Sequence, residues 1–349
     1  MKSVRISNKK IGKNSKVFIV AELSANHNHS INIAMRTIKA AKDCGVDAIK
    51  LQTYKPNTIT IDSNKKYFKI SQKSVWDGDT YFSLYKKAHT PWEWHKKLFD
   101  YSKNLGLICF SSPFDNTAVD LLEELNCPAY KIASAEINDI NLIEYIAKLK
   151  KPMILSTGLA DIEDINLAVR TINKYHNKII ILKCNSEYPT PSKNLNIKNI
   201  KFLQRKFKLN VGFSDHSLSD NAAIASVAYG ARFIEKHILL NKKLKTPDSS
   251  FSLTPKEFSN LVVNIRETEK IVGDNEYKIS SRQKILRKIN MRSLFIVKDV
   301  KKNEKINKFN VRSIRPGNGM HPKNLNIILG KVFKKNFQKG TPLKREYYK

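Results

Sequence analysis

The stretch N-V-G-F-S-D-H-S-L-S-D-N-A-A-I-A-S-V-A-Y-G-A-R-F-I-E-K-H-I, residues 210–238, reads as strand, helix, strand. Residues 210–213 and 233–236 are short strand-like runs with apolar V-G-F and F-I in them, and 220–229 between them is an alanine-rich segment of helical length that stops at Gly230. A helical crossover between two such runs makes the strands parallel neighbours. Each run passes through a polar residue to a histidine, His216 and His237. Both imidazoles then leave the same edge of the sheet.

The same unit recurs along the chain. Strand-like runs fall at 17–22, 48–52, 107–111, 129–132, 153–156, 179–183, 210–213 and 233–236. Helical patterns occupy 32–44, 94–104, 117–125, 140–148, 162–175, 197–206, 220–229 and 255–271. Gly45 and Gly106 stop the first two, and Thr90-Pro91-Trp92-Glu93 reads as N-cap, N1 proline and capping-box acid of the second. Eight strands alternating with eight helices predict an α/β fold, a TIM (β/α)8 barrel.

Two segments break the rhythm. The insertion 54–89 follows the second strand and is long enough to form a substrate lid over the C-terminal face. Beyond 273 the alternation ends, so the expected division is a barrel domain at 1–273, a linker at 274–290 and a small β-rich domain at 291–349. Within the last, 293–297 and 311–314 read as strands before the loop R-P-G-N-G-M-H-P at 315–322.

At 349 residues with 41% hydrophobic content, the chain can bury a sizeable core. No apolar run approaches the ~20 residues of a membrane span, so neither a membrane segment nor a signal peptide is expected. Four cysteines without C-x-x-C spacing suit reduced thiols and a cytoplasmic location. The net charge of +32 invites a nucleic-acid reading. The lysines, however, form no single stripe and no aromatic-interleaved motif, and abundant Lys, Asn and Ile throughout suit an A/T-rich coding bias. A positive field also attracts small anions.

In this fold the polar residues at strand C-termini face the active site. Those candidates are Glu22; Lys50 and Gln52; Ser111 and Ser112; Lys131, Ser134 and Glu136; Ser156 and Thr157; Lys183, Asn185, Ser186 and Tyr188; Ser214 and His216; and Glu235 and His237. Any single Ser or Thr among them could be a helix cap, and either histidine a satisfied hydrogen-bonding residue; their convergence from eight strands is the signal. Lysines within strand runs, Lys50 and Lys131, need anionic partners, either Glu22 and Glu136 or a bound anion. Such a nest suits a phosphate and a carboxylate. No Walker loop or G-x-G-x-x-G is present, so a nucleotide is not indicated. His216 and His237 are too few for a closed zinc site. They suit a cation completed by water and substrate oxygens, Mn²⁺ or Mg²⁺, or alternatively direct contact with substrate or backbone.

Taken together, A-E-L-S-A-N-H-N (21–28), K-L-Q-T (50–53), F-S-S-P-F (110–114), Y-K-I-A-S-A-E (130–136), L-S-T-G (155–158), Y-P-T-P (188–191), G-F-S-D-H (212–216), E-K-H (235–237) and P-D-S-S-F-S-L (247–253) resemble the sialic acid synthase family. Its members condense phosphoenolpyruvate with an N-acetylated hexose. R-P-G-N-G-M (315–320) resembles the family's antifreeze-like (SAF) domain. W-D-G-D-T-Y-F-S-L-Y (76–85) and T-P-W-E-W-H (90–95) resemble the branch acting on 2,4-diacetamido-2,4,6-trideoxy-altrose rather than the N-acetylneuraminate branch, with a sibling enzyme making N-acetylneuraminic or legionaminic acid by the same chemistry as the alternative.

The resemblance implies that His216 and His237 bind a divalent metal (Mn²⁺, Mg²⁺ or Co²⁺), and that Lys50, Ser112, Lys131, Ser134, Ser156 and Ser214 hold phosphoenolpyruvate. It implies sugar contacts from Gln52, Ser186, Tyr188 and Asp248, with Glu22, Glu136 and Lys131 in catalysis. It further implies a domain-swapped homodimer in which Arg315 reaches the partner's sugar. The chain departs from the generic pattern at His29, where the family has Gly, and at Ser186, where some relatives carry Asn.

Overall fold

The computed structural model describes residues 2–71, 75–273 and 276–349. Residues 72–74 of the expected insertion and 274–275 of the expected linker lie outside the described residues. The chain divides into two compact units, Met1–Gly273 and Asp274–Lys349.

The first unit is a closed parallel barrel of β1 (Phe18–Glu22), β2 (Ala48–Thr53), β3 (Ile108–Pro113), β4 (Tyr130–Ile132), β5 (Met153–Ser156), β6 (Ile179–Lys183), β7 (Asn210–Asp215) and β8 (Phe233–His237). Each strand pairs with its sequence neighbours, and β8 closes on β1 with Phe233 beside Phe18 and His237 beside Glu22. The strands are short and buried on both faces, so runs such as 179–183 show no polar alternation. The eight expected barrel strands are all present.

The helices between them lie against the barrel through apolar stripes. The helix Ile31–Asp43 buries Ala34, Thr37, Ile38 and Ala41, the three-and-four spacing of one helical face. Helix starts are fixed by side-chain caps in the loops after the strands. Ser30 accepts from the Ile33 amide, Asp115 from Thr117 and Ala118, and Asp139 from Leu142.

The helix Trp92–Asn104 corrects the sequence reading, because Pro91 occupies its cap position. The Thr90 hydroxyl lies 3.3 Å from His27 Nε2 instead of capping the helix. A long-range partner thus outcompetes the local one. An antiparallel hairpin, Val4–Ile6 with Lys9–Ile11, was not expected from the sequence. It packs at the barrel end where β7 begins, and Asn210 Nδ2 donates to the Lys2 carbonyl at 2.8 Å.

The insertion after β2 contains a helical turn at Pro56–Ile59 and a helix at Tyr81–Ala88, the latter held by a Thr80–Ser83 capping box. In the second unit Ser293–Ile296 and Val311–Ile314 form a two-stranded antiparallel sheet. Its separate core includes Leu294, Ile296, Val311, Phe333 and Leu343. Where a linker was expected, Ser281–Asn290 is a helix capped by Ser280 and Gln283. None of its residues is buried, and its apolar stripe of Ile285, Leu286 and Ile289 is exposed. No helix among the described residues is long and apolar enough to cross a membrane. The four cysteines are buried and unpaired.

Candidate active site

The C-terminal strand ends open into a cleft of about 850 Å³. Barrel register assembles its floor. Glu22 lies beside Lys50 on one side and beside His237 on the other, which sets three chemically distinct side chains in a row across β8, β1 and β2.

Lys50 and Lys131 are both buried on this floor. Removing an ammonium from water costs several kcal/mol unless a partner repays it. Lys50 pairs with Glu22, and Lys131 Nζ lies 2.8 Å from Glu235 Oε1. Glu235 Oε2 is 4.0 Å from Lys50, and Ser214 Oγ donates to Glu235 Oε1 at 3.0 Å. Burial alone would push the Glu235 carboxyl up, but the two lysines outweigh it and hold the group down at about 2. For Glu22 burial wins over Lys50, and the carboxyl is pushed up to about 7.

Glu235 therefore fills the role that the sequence reading gave to Glu136. Glu136 lies on the loop beyond β4, and its buried Oε2 makes no hydrogen bond. Burial raises its carboxyl to about 7, and Lys131 offsets this only in part. A carboxyl poised there can exchange protons near neutral pH. The sequence signal for Glu235 was its two-residue spacing from His237, which puts both on one face of β8.

The two histidine rings lie 5.5 Å apart between centroids. His216 Nδ1 is 2.8 Å from the Asn185 carbonyl, which can only accept, so this nitrogen carries a proton. Burial lowers the ring's hold on a second proton, but Cys184 and the Asn185 carbonyl outweigh it and raise the imidazole above its usual range, so Nε2 offers a lone pair in the neutral ring. Burial, then the neighbouring His216 and lysines, hold His237 well below the usual imidazole range, and its Nδ1 makes no hydrogen bond. Asp248 Oδ2 lies 3.7 Å from that nitrogen, and the Ser24 hydroxyl donates to the same carboxylate. Phe251 packs edge-on to both imidazoles, and Tyr188 covers His216 with centroids 4.3 Å apart.

The other expected residues fall as follows. Gln52 Nε2 donates to Glu22 at 3.3 Å. Ser112 accepts from Lys50 at 3.4 Å, below the cleft surface. Ser134, Ser156 and Ser186 line the cleft, and the buried hydroxyls of Ser156 and Ser186 have no protein partner. Gly158 donates to Ser134 Oγ at 3.0 Å. A Cβ at Gly158 would come within 2.7 Å of Ser134 Oγ and closer still to Ser186 Oγ, so this approach requires glycine. Lys183 turns instead to Asn185 and the Cys184 carbonyl. Arg315 belongs to the second unit, one residue after Val311–Ile314. Sequence reasoning passed over Cys184, whose Sγ is 3.8 Å from His216 Nδ1, and Tyr54 and Phe251, which line the cleft.

A parallel barrel whose strand ends gather paired lysines, carboxylates and two buried imidazoles is the frame of an enzyme acting on anionic substrates. The chain belongs to the NeuB family, whose profile matches residues 37–277, and a SAF domain matches residues 291–346. It is 44% identical over 95% of its length to the pseudaminic acid synthase of Campylobacter jejuni, covering 96% of that protein. It is 36% identical to the N,N'-diacetyllegionaminic acid synthase of the same species, over 93% of this chain and 97% of the other. Among solved structures, the N-acetylneuraminic acid synthetase of Leptospira borgpetersenii superposes with a TM-score of 0.74 at 31% identity, covering 82% of this chain and 95% of that one.

Proposed function

We propose that this enzyme is a pseudaminic acid synthase, joining phosphoenolpyruvate to 2,4-diacetamido-2,4,6-trideoxy-altrose with release of phosphate. The observation that carries the reading is the Lys50–Glu22–Glu235–Lys131 floor set beside His216 and His237. Two buried ammonium groups supply the field for a substrate bearing both a phosphate and a carboxylate. The higher identity to the pseudaminic acid synthase than to the legionaminic enzyme supports the choice of sugar.

In this mechanism Lys50 and Lys131 hold the anionic groups of phosphoenolpyruvate, with Ser112, Ser134, Ser156 and Ser214 donating hydroxyl hydrogen bonds around them. Gln52, Ser186, Tyr188 and Asp248 orient the open-chain sugar so that its aldehyde carbon faces C3 of phosphoenolpyruvate. The new C–C bond breaks the aldehyde π bond; its oxygen takes the proton of Glu22, held up to about 7, and the positive charge left at C2 is stabilised by the Glu235 carboxylate. Water adds at C2 and Glu136 takes its proton. The C–O bond from C2 to phosphate then breaks, and phosphate leaves.

The imidazoles fit a divalent cation: both carry a ring nitrogen free of protein hydrogen bonds, and burial keeps His237 unprotonated. His216 and His237 would hold Mn²⁺, Mg²⁺ or Co²⁺, with Asp248 beside them. Among the described residues no group of three His, Cys, Asp or Glu side chains forms a cage, so water and substrate oxygens would complete the shell. Such an ion, when bound, supplies Lewis-acid polarisation of the sugar carbonyl.

The reading extends to a homodimer in which Arg315 reaches the partner's sugar, and to a cytoplasmic location suited to unpaired cysteines. Mixing Arg315→Ala with Lys131→Ala protein should restore activity in heterodimers; no recovery would refute the exchange. The function itself is tested by phosphate release from phosphoenolpyruvate, Mn²⁺ and the diacetamido-altrose. No release with this sugar, alongside turnover of N-acetylmannosamine, refutes it.

A further inference from the structure

The charged floor of the cleft has an apolar counterpart built by the insertion after β2. The helix Tyr81–Ala88 turns Tyr81, Leu84, Tyr85 and Ala88 towards the cleft, the spacing of a single helical face. Ser83, Lys86 and Lys87 from its other face line a separate basic hollow. Ile59 and Ile70, from earlier in the insertion, line the cleft with them.

Leu84 is 8% exposed and Ile70 6%, yet neither belongs to the barrel core. Their burial serves the cleft. The wall is tied down at both ends. Trp76 Nε1 donates to the Pro247 carbonyl at 2.9 Å, beside Asp248. Tyr85 packs edge-on to Tyr54, and Tyr54 edge-on to Phe114, with centroids 5.6 and 5.1 Å apart.

We propose that this wall, through Leu84 and Ile70, determines sugar specificity by receiving the C6 methyl end of a 6-deoxy substrate. The inference rests on the pseudaminic acid synthase reading and adds to it the residues that tell one hexose from another. The reacting aldehyde end belongs at the histidines and the lysine floor, because the polarising and anion-binding groups are there. The far end of the open-chain sugar then meets the insertion. Aliphatic side chains offer no hydrogen-bond partner, so a C6 hydroxyl pressed against them would lose its water contacts without replacement. An apolar pocket rejects an added hydroxyl only moderately, by roughly 10²-fold.

The test compares kcat/KM for 2,4-diacetamido-2,4,6-trideoxy-altrose with that for its 6-hydroxy analogue, at saturating phosphoenolpyruvate and Mn²⁺. The native enzyme should favour the deoxy sugar by roughly 10²-fold. Leu84→Gln and Ile70→Thr should each cut that ratio to below about 10, while Leu84→Met, polar in neither respect, keeps it. The KM for phosphoenolpyruvate, read on the same proteins, reports an intact floor.

If the altrose is turned over but the ratio is unchanged in Leu84→Gln and Ile70→Thr, the inference fails and the pseudaminic reading stands. If the variants lose discrimination against a 4-amino analogue lacking the C4 acetyl group, and not against the 6-hydroxy sugar, the wall meets the acetamido methyl and the C6 assignment is overturned. Turnover of N-acetylmannosamine alone, a 6-hydroxy sugar, overturns both.

Discussion

Lys131 Nζ and Glu235 Oε1 lie 2.8 Å apart across the floor of the barrel, and the same carboxylate reaches towards Lys50 at 4.0 Å. One acidic side chain thus sits between two buried cations that must also receive a substrate anion. It stabilises the free enzyme and competes with the ligand. Glu235→Gln removes the charge and leaves Lys131 without its ionic partner, which should cost the unliganded protein about 3–5 kcal/mol. Phosphoenolpyruvate then replaces the lost charge. Its stabilisation of the variant, measured as a shift in thermal melting, should exceed its stabilisation of the native enzyme. An equal or smaller shift would show that Glu235 and the substrate do not compete.

How this pairing escaped the sequence reading follows from what sequence pattern encodes. The alternation of strand and helix marks each βα unit locally, so β7, β8 and the polar residues at their ends were legible from 210–238 alone. Which lysine meets which carboxylate depends on barrel closure and on side chains crossing the interior. Glu136 was the nearer acid to Lys131 in sequence, but it lies on the loop beyond β4, whereas Glu235 projects from the barrel wall. Thr90 shows the same limit, because its local capping pattern is overridden by His27. The helix Ser281–Asn290 was missed for another reason: its apolar residues Ile285, Leu286 and Ile289 make one short stripe among lysines and arginines, and the surrounding polar run read as linker.

His237 presents a buried ring nitrogen free of hydrogen bonds, and burial, reinforced by the neighbouring His216 and lysines, keeps it unprotonated. If it binds a divalent ion, Mn²⁺ should raise the melting temperature of the native protein, since a ligand at 100 times its Kd adds about 2.7 kcal/mol. His237→Ala should lose both that shift and chelator-sensitive phosphate release. A variant that Mn²⁺ still stabilises as strongly would remove His237 from the ligand set.

Glu136 holds its proton up to about 7, against an ordinary 4.5. As the base that accepts a proton from water, it must be ionised. Activity should therefore rise with pH through about 7, and Glu136→Gln should lose this limb along with roughly 10²- to 10⁴-fold in kcat. Stability moves the opposite way. The native state binds more protons than the unfolded chain between 4.5 and about 7, so stability falls as pH rises through that window. Above it the Gln variant should melt higher than the native protein, and below 4.5 the two should coincide. Parallel melting curves at every pH would show that the carboxyl is not perturbed.

Gly158 supplies a backbone amide to Ser134 Oγ at 3.0 Å and leaves space for the Ser186 hydroxyl. These two serines come from the loops after β4 and β6, so the glycine after β5 sets the distance between them. Gly158→Ala would drive a methyl group into both hydroxyls. The backbone can yield because the residue is only half-buried, in the turn after β5, and overpacking should cost only about 1–3 kcal/mol. The larger effect falls on the site, where displacing a positioning group by an ångström lowers kcat/KM by about 10²-fold. Because Ser134 is assigned to phosphoenolpyruvate and Ser186 to the sugar, the KM values for both substrates should rise together. A rise for one substrate alone would assign both hydroxyls to that substrate, and unchanged kinetics would show that neither serine binds through the position the glycine enforces.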